Sequence, residues 1–115
     1  MIPLGSFAPT YNSETWTEVA AIDDEDTGTA FDLSTSLIEM EVRDQNGCRR
    51  LYGSTADGKL VVIDDEGFEF TFTAAEMSTL CAGSYNVFIR LTDSITGISE
   101  TWGGALPVLD GGFSP

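Results

Sequence analysis

Carboxylates are the residues of this sequence that could do chemistry. The 115 residues include 19 aspartates and glutamates, 5 lysines and arginines and no histidine, for a net charge of −14. Two runs, residues 23–26 and 64–66, are dense enough to resemble the oxygen ligand sets of Ca²⁺. Neither has the spacing of an EF-hand loop, and adjacent like charges favour solvation. We predict no metal and no cofactor, with calcium as the alternative.

The same inventory argues against catalysis. Without histidine, Ser–His and Cys–His pairs cannot form, and a zinc site loses its commonest nitrogen ligand. No glycine-rich phosphate loop precedes a helix. A single small domain also leaves little room for the cleft in which paired carboxylates hydrolyse sugars. We therefore predict a non-enzymatic protein with no catalytic residue.

The charge and the apolar segments also limit the partners. A surface this acidic repels phosphate backbones and anionic lipids, so we expect neither a nucleic-acid nor a membrane partner. Residues 1–11 lack the basic and apolar parts of a secretion signal, which favours assembly in the cytoplasm. Cys48 and Cys81 allow one disulfide, and the sequence leaves that pairing open.

Short strands must position these groups. Three segments alternate apolar and polar residues, at 37–43, 68–73 and 85–93, and further strands are expected at 15–22, 30–33, 49–53, 59–63 and 98–109. Asn46-Gly47 predicts a turn, and Asp57-Gly58 predicts a hairpin turn. This spacing predicts an all-β fold of about seven strands, a sandwich or a barrel. Of these we favour an immunoglobulin-like antiparallel sandwich.

Two local motifs refine the prediction. Thr73 and Glu76 have the spacing of a capping box, which predicts one short helical turn near residues 74–80. Tyr85, at the entry to the longest alternating segment, is typical of a tyrosine corner whose hydroxyl bonds to the backbone upstream. We predict three regions, namely an irregular N-terminal arm at 1–13, the sandwich at 14–110 and a tail at 111–115.

Apolar residues outside the alternating segments are the candidate interface. Pro107 predicts that the last strand lies at a sheet edge or is bulged, and Trp102 precedes two glycines on that strand. Tryptophan is enriched at interface hot spots. The candidate interface residues in the arm, the last strand and the tail are Ile2, Leu4, Phe7, Trp102 and Phe113.

Four segments carry a resemblance to a known family: FDLSTSLIEMEVRD, TAAEMSTLCAGSY, LTDSITG and the closing VLDG. In this order, over roughly residues 14–111, the chain resembles the small immunoglobulin-like domains of tailed-phage virion proteins. It is similar to the N-terminal domain of the baseplate upper protein family. The Trp102-Gly103-Gly104 step departs from the continuous last strand of that pattern.

The resemblance implies a virion structural protein. The expected role is an adaptor of the tail, baseplate or fibre region, which forms homo-oligomers and binds other virion proteins through its termini and edge strands. One alternative is an immunoglobulin-like recognition module for carbohydrate or a host surface, with or without calcium. A second alternative is a head decoration protein.

Overall fold

The computed structural model describes residues 2–7, 9–21, 36–63, 67–94, 97 and 99–111. Within these ranges, nine strands and one short helix follow each other: β1 (Ile2–Ser6), β2 (Thr10–Tyr11), β3 (Trp16–Ala21), β4 (Ser36–Arg43), β5 (Arg49–Ser54), β6 (Leu60–Val62), β7 (Gly67–Phe72), α1 (Ala74–Met77), β8 (Gly83–Asp93) and β9 (Ser99–Leu109). The strand predicted at 30–33 lies outside the described residues.

The strands form two sheets. One has the order β1-β9-β8-β4-β5, with β2 also paired to β9, and the other has the order β3-β7-β6. This arrangement matches the G-F-C-C′ and B-E-D strands of an immunoglobulin variable-type sandwich. The predicted immunoglobulin-like fold class is therefore confirmed. The pairing is not wholly antiparallel, however, because β1 and β2 run parallel to β9.

The alternating segments supply the core, as predicted. Their inward side chains on β4, β7 and β8 are at most 7% exposed: Ile38, Met40, Val42, Phe68, Phe70, Phe72, Tyr85, Val87, Ile89 and Leu91. The Trp16 ring on β3 lies 4.7 Å from the ring centroid of Phe70 in an edge-on contact. Burying side chains of this size contributes about 1.5–3 kcal/mol each, so these alternating strands are the main source of stability.

The predicted irregular N-terminal arm at 1–13 is wrong for the residues of β1 and β2. These two strands extend the larger sheet beside β9. The pairing of β1 ends with Ser6 opposite Ala105, and that of β2 begins with Thr10 opposite Val108. Pro107, which has no N–H to donate, lies in the gap between these two partners. The last strand is consequently flanked on both sides and is not the predicted edge.

Asn12 fastens this N-terminal segment to the rest of the domain. Its side chain is 3% exposed. Nδ2 donates to the carbonyl of Leu80 after α1 at 2.9 Å, and Oδ1 accepts from the backbone N–H of Gly111 at 2.9 Å. The backbone N–H of Asn12 donates to the carbonyl of Leu109. One side chain therefore joins the end of β2, the segment after α1 and the end of β9.

The predicted turn at Asn46-Gly47 and the predicted cap are confirmed, whereas Asp57-Gly58 is a turn but not the predicted hairpin, because β5 and β6 lie in different sheets. Gly47 and Gly58 have φ angles of +82° and +85°, a conformation in which side-chain-bearing residues are strained. The Thr73 hydroxyl accepts from the Glu76 N–H, and the Glu76 carboxylate accepts from the Thr73 N–H. The α1 helix ends after Met77, so it is shorter than predicted.

The tyrosine corner is also confirmed. The Tyr85 hydroxyl donates to the backbone carbonyl of Cys81 at 2.7 Å. Burial raises the pKa of Tyr85 above its ordinary value, so the hydroxyl keeps its proton. Cys48 and Cys81 are both free and exposed. The Tyr85 hydroxyl thus bonds to the backbone of Cys81 and not to its thiol, and this contact stabilises the fold.

Candidate functional site

Trp102 is buried and does not lie at the exposed sheet edge predicted from the sequence. Its side chain is 2% exposed and belongs to the central core, on the inward face of β9. The hydrophobic core cluster therefore encloses the indole within its own domain. The prediction that Trp102 is an exposed interface residue is therefore wrong for this chain.

The other candidate interface residues lie near the N-terminus and in the tail. The Phe7 ring is half-buried against the core, with its centroid 5.8 Å from that of Trp16. Ile2 and Leu4 lie in β1. Phe113 and both acidic runs lie outside the described residues. The structure thus places Ile2 and Leu4 within the larger sheet and Phe7 against the core. The interface role of these residues stays a prediction.

A second surface, which the sequence did not single out, lies on the outward side of β5, β4, β8 and β9. Strand alternation turns Glu39 and Glu41 outward on β4, while the inward residues fill the core. In register, Glu39 lies opposite Arg90, and Glu41 lies between Phe88 and Tyr52. We call this surface, centred on Arg43, Arg49 and Arg90, the arginine face.

Glu41 organises one end of the arginine face. Its two carboxylate oxygens accept from Arg43 Nε at 2.6 Å and from Arg49 Nε at 2.8 Å. Burial raises the pKa of Glu41, but these hydrogen bonds outweigh it and hold the pKa below its ordinary value. The Arg49 guanidinium also lies 4.5 Å from the ring centroid of Tyr52. Both arginines are consequently fixed by a charged partner, and Arg49 also by a ring.

Glu39 organises the other end. It accepts from the Tyr52 hydroxyl at 2.7 Å and from Nε and Nη2 of Arg90 at 3.1 and 2.7 Å. Burial raises the pKa of Glu39, but the hydrogen bonds from Tyr52 and Arg90 outweigh it and keep the pKa below its ordinary value. The hydrogen bond to Glu39 raises the pKa of Tyr52. The network thus joins one tyrosine, two carboxylates and three guanidinium groups.

The depths of the charges differ in a consistent way. The side chains of Glu39 and Glu41 are 16% and 17% exposed, whereas those of their arginine partners are 41–55% exposed. The carboxylates therefore lie beneath the guanidinium groups, and the surface presents hydrogen-bond donors. Sequence alternation already put Glu39, Glu41 and Arg43 on one side of a strand. The missing information was that β4 is flanked by β5 and β8.

An open groove of about 320 Å³ lies in this face. Its lining consists of Glu39, Met40, Glu41, Arg43, Arg49, Tyr52, Phe88, Arg90 and Thr101. That volume is at the lower end of the range for ligand pockets. Within the described ranges, no group of three or more Cys, Asp or Glu side chains is arranged to hold a metal ion. The chemistry that the groove offers is donation of hydrogen bonds to an anion, beside two aromatic rings.

The smaller sheet exposes apolar side chains on its outward side. Val19 on β3 and Val61 on β6 both lie opposite Glu69 of the central strand β7. The two valines are 59% and 56% exposed, and Ile63 just beyond β6 is 53% exposed. We call Val19, Val61 and Ile63 the valine row. It crosses the side of the sandwich opposite the arginine face.

Comparisons with known proteins give a distant structural likeness only. The sequence matches no protein-family model, and no curated protein is significantly similar to it. Among solved structures, the chain is similar to the second immunoglobulin domain of the mouse polymeric immunoglobulin receptor. The TM-score is 0.44 with 11% sequence identity, over 91% of this chain and 96% of that one. In the part of the chain that the structure describes, no helix has the length and apolarity to cross a membrane.

Proposed function

We propose that this chain is a non-enzymatic structural protein of a tailed-phage virion. It acts as an adaptor in the tail, baseplate or fibre region and associates with copies of itself and with other virion proteins. The observation that carries the assembly role is the valine row, which exposes apolar side chains on the outward side of a sheet. The virion setting is supported by the resemblance of residues 14–111 to phage immunoglobulin-like domains.

The exposed apolar area of the valine row favours assembly. Val19 and Val61 are each more than half exposed, so a neighbouring subunit that covers them gains about 25 cal/mol per Å² of apolar surface. The sheet edges add a second route. Within the described residues, β3 and β6 each pair with β7 alone, which leaves backbone groups for an added strand.

The acidic charge is compatible with this role. A net charge of −14 keeps the free subunit soluble. Repulsion between exposed charges is largely screened beyond about 8 Å at physiological ionic strength, so it does not prevent close apolar contact. Association should therefore strengthen as salt is added.

Light scattering on the full chain tests the assembly role. We expect a mass above that of the monomer that rises with protein and salt concentration. Val61→Glu should lower that mass, because it places a charge in the valine row. Leu37→Glu is the matched control, since Leu37 is an exposed apolar residue, 39% accessible, on the other sheet. A monomeric wild type, or equal losses in both variants, would overturn assembly through the valine row.

The virion setting has a separate test. Phage particles purified from a strain that carries this gene should contain peptides of the chain, at a constant ratio to a tail protein. If the chain is abundant in the lysate and absent from purified particles, the virion setting is wrong, whatever its oligomeric state.

A further inference from the structure

We propose that the arginine face binds an acidic segment of a partner protein, with Arg43, Arg49 and Arg90 holding its carboxylates. This site goes beyond the assembly role and does not depend on it. The valine row and the arginine face lie on different sheets, and they differ in chemistry. Three features of the groove favour an acidic ligand, namely the direction of its charges, its free hydrogen-bond donors and the spacing of those donors.

The charges of the groove are arranged with the cations outermost. Three arginines and two glutamates line the groove, so it carries one net positive charge on a chain whose total is −14. The guanidinium groups stand above their carboxylate partners, as the exposures of 41–55% against 16–17% show. An approaching ligand therefore meets cations first. Among the described residues, this is where cationic side chains gather around a groove.

The three arginines also keep hydrogen-bond donors for a ligand. Arg49 uses Nε for Glu41, and Arg43 uses Nε for Glu41 and Nη1 for the carbonyl of Gly47. Arg90 uses Nε and Nη2 for Glu39. The hydrogen bonds of the described residues thus leave four Nη groups available to a ligand. These are Nη1 and Nη2 of Arg49, Nη2 of Arg43 and Nη1 of Arg90. These groups donate to carboxylates in a paired, planar geometry.

The glutamates beneath keep these donors in place before a ligand arrives. A free arginine side chain loses rotamer freedom on binding, and that loss opposes affinity. Here Glu39 and Glu41 have already fixed Arg43, Arg49 and Arg90 by their Nε atoms. Both glutamates are positioning residues for the groove.

The spacing of the arginines identifies the class of ligand. The guanidinium groups of Arg43 and Arg49 both lie at the Glu41 carboxylate, and that of Arg90 lies at the Glu39 carboxylate. Glu39 and Glu41 are two residues apart on the same side of β4, which is about 7 Å. An extended peptide repeats same-side side chains at the same ~7 Å spacing, so two of its acids can meet both positions at once.

The rest of the surface selects against long polyanions. A nucleic-acid strand would carry its phosphates beyond the groove, onto a chain with 19 carboxylates. A short acidic peptide keeps its charges within about a Debye length of the arginines. Its methylene groups can also contact the rings of Tyr52 and Phe88 in the groove lining.

Fluorescence anisotropy with a labelled hexaglutamate peptide tests this proposal on the full chain. We expect saturable binding that weakens as salt increases, and none for hexaglutamine. Arg49→Gln should weaken hexaglutamate binding about tenfold, because it removes a charged, paired donor. Arg50→Gln is the matched control. Arg50 is also 52% exposed and paired to a shielded carboxylate, that of Asp44, but it lies outside the groove lining. It should change binding less than about twofold.

Three results would overturn the proposal. The first is the absence of hexaglutamate binding at physiological salt. The second is an equal loss in Arg49→Gln and Arg50→Gln, which would show that only net charge matters. The third is tighter binding of a single-stranded oligonucleotide or sulfated oligosaccharide of equal charge, which would assign the groove to another class of ligand. Unchanged melting temperatures in both variants confirm that the comparison concerns binding.

Discussion

Asn12 should contribute more to stability than any other polar side chain of the N-terminal segment. It is 3% exposed and joins three parts of the chain through hydrogen bonds of 2.9 Å to Leu80 and Gly111. Asn12→Ala removes both side-chain bonds and leaves two backbone groups without this partner. Leu80 is 2% exposed, so water cannot easily replace the amide at its carbonyl.

The size of the effect follows from these two bonds. An orphaned buried carbonyl costs about 1–3 kcal/mol, whereas the N–H of the half-buried Gly111 can turn to water at a cost of about 0.5–1 kcal/mol. We expect Asn12→Ala to lower the free energy of unfolding by about 2–3 kcal/mol. For a domain of this length that corresponds to a fall in melting temperature of about 8–12 °C.

Urea and thermal denaturation followed by circular dichroism measure this loss. Asn86→Ala makes the same chemical change on the exposed side of β8 and should stay within about 0.5 kcal/mol of the wild type. Asn12→Asp keeps the shape but turns an oxygen towards the Leu80 carbonyl, so it should be at least as destabilising as the alanine. If Asn12→Ala matches Asn86→Ala, the hydrogen bonds of Asn12 do not hold the N-terminal segment in place.

Three further perturbations test other parts of the structure. Tyr85→Phe removes only the hydroxyl that donates to Cys81 and should cost about 1–2 kcal/mol in urea denaturation; an unchanged midpoint would contradict the corner's role. A Cβ at Gly53 would lie 2.9 Å from Lys59 Cβ, so Gly53→Ala should cost about 1–3 kcal/mol, and a neutral result would show that β5 and β6 can separate there. Burial raises the pKa of Glu39, but its hydrogen bonds outweigh burial and hold the pKa below 4.5. The Glu39 carboxylate therefore stabilises the fold fully above about pH 4.5, and this stabilisation is lost as the pH falls through the lower pKa of the folded state. Unfolding midpoints from pH 6 to 3 should therefore fall less steeply in Glu39→Gln, and equal slopes would refute this assignment.

Local patterns explain what the sequence predicted correctly. The period-two alternation of β4, β7 and β8 requires no knowledge of neighbours, because each strand reports its own buried side. The capping box spans Thr73 to Glu76, and the tyrosine corner joins Tyr85 to a carbonyl four residues away. Each contact is short in sequence, so residue type and spacing sufficed.

Long-range pairing explains what the sequence missed. β1 reads as an irregular Pro- and Gly-containing segment, and its strand conformation depends on β9, about a hundred residues later. Trp102 on β9 is likewise buried in the core and not exposed. A signal for that burial was present, because Trp102, Leu106 and Val108 follow a period of two, and all three are at most 2% exposed. The arginine face needed the sheet order as well, since Arg49 and Arg90 are 41 positions apart and meet only through β4.

Assembly through the valine row and peptide binding at the arginine face can be tested independently because the two surfaces are far apart. The valine row and the arginine face lie on the outward sides of two sheets that are about 10 Å apart with the core between them. Substitutions at such a distance with no shared partner usually act additively. Val61→Glu should therefore leave peptide binding intact, and Arg49→Gln should leave the assembled mass intact. If both surfaces act, each subunit held by its valine row still turns its arginine face outward. A ring or fibre of such subunits would then display a repeated cationic groove and bind a repeated acidic partner far more tightly than one copy does.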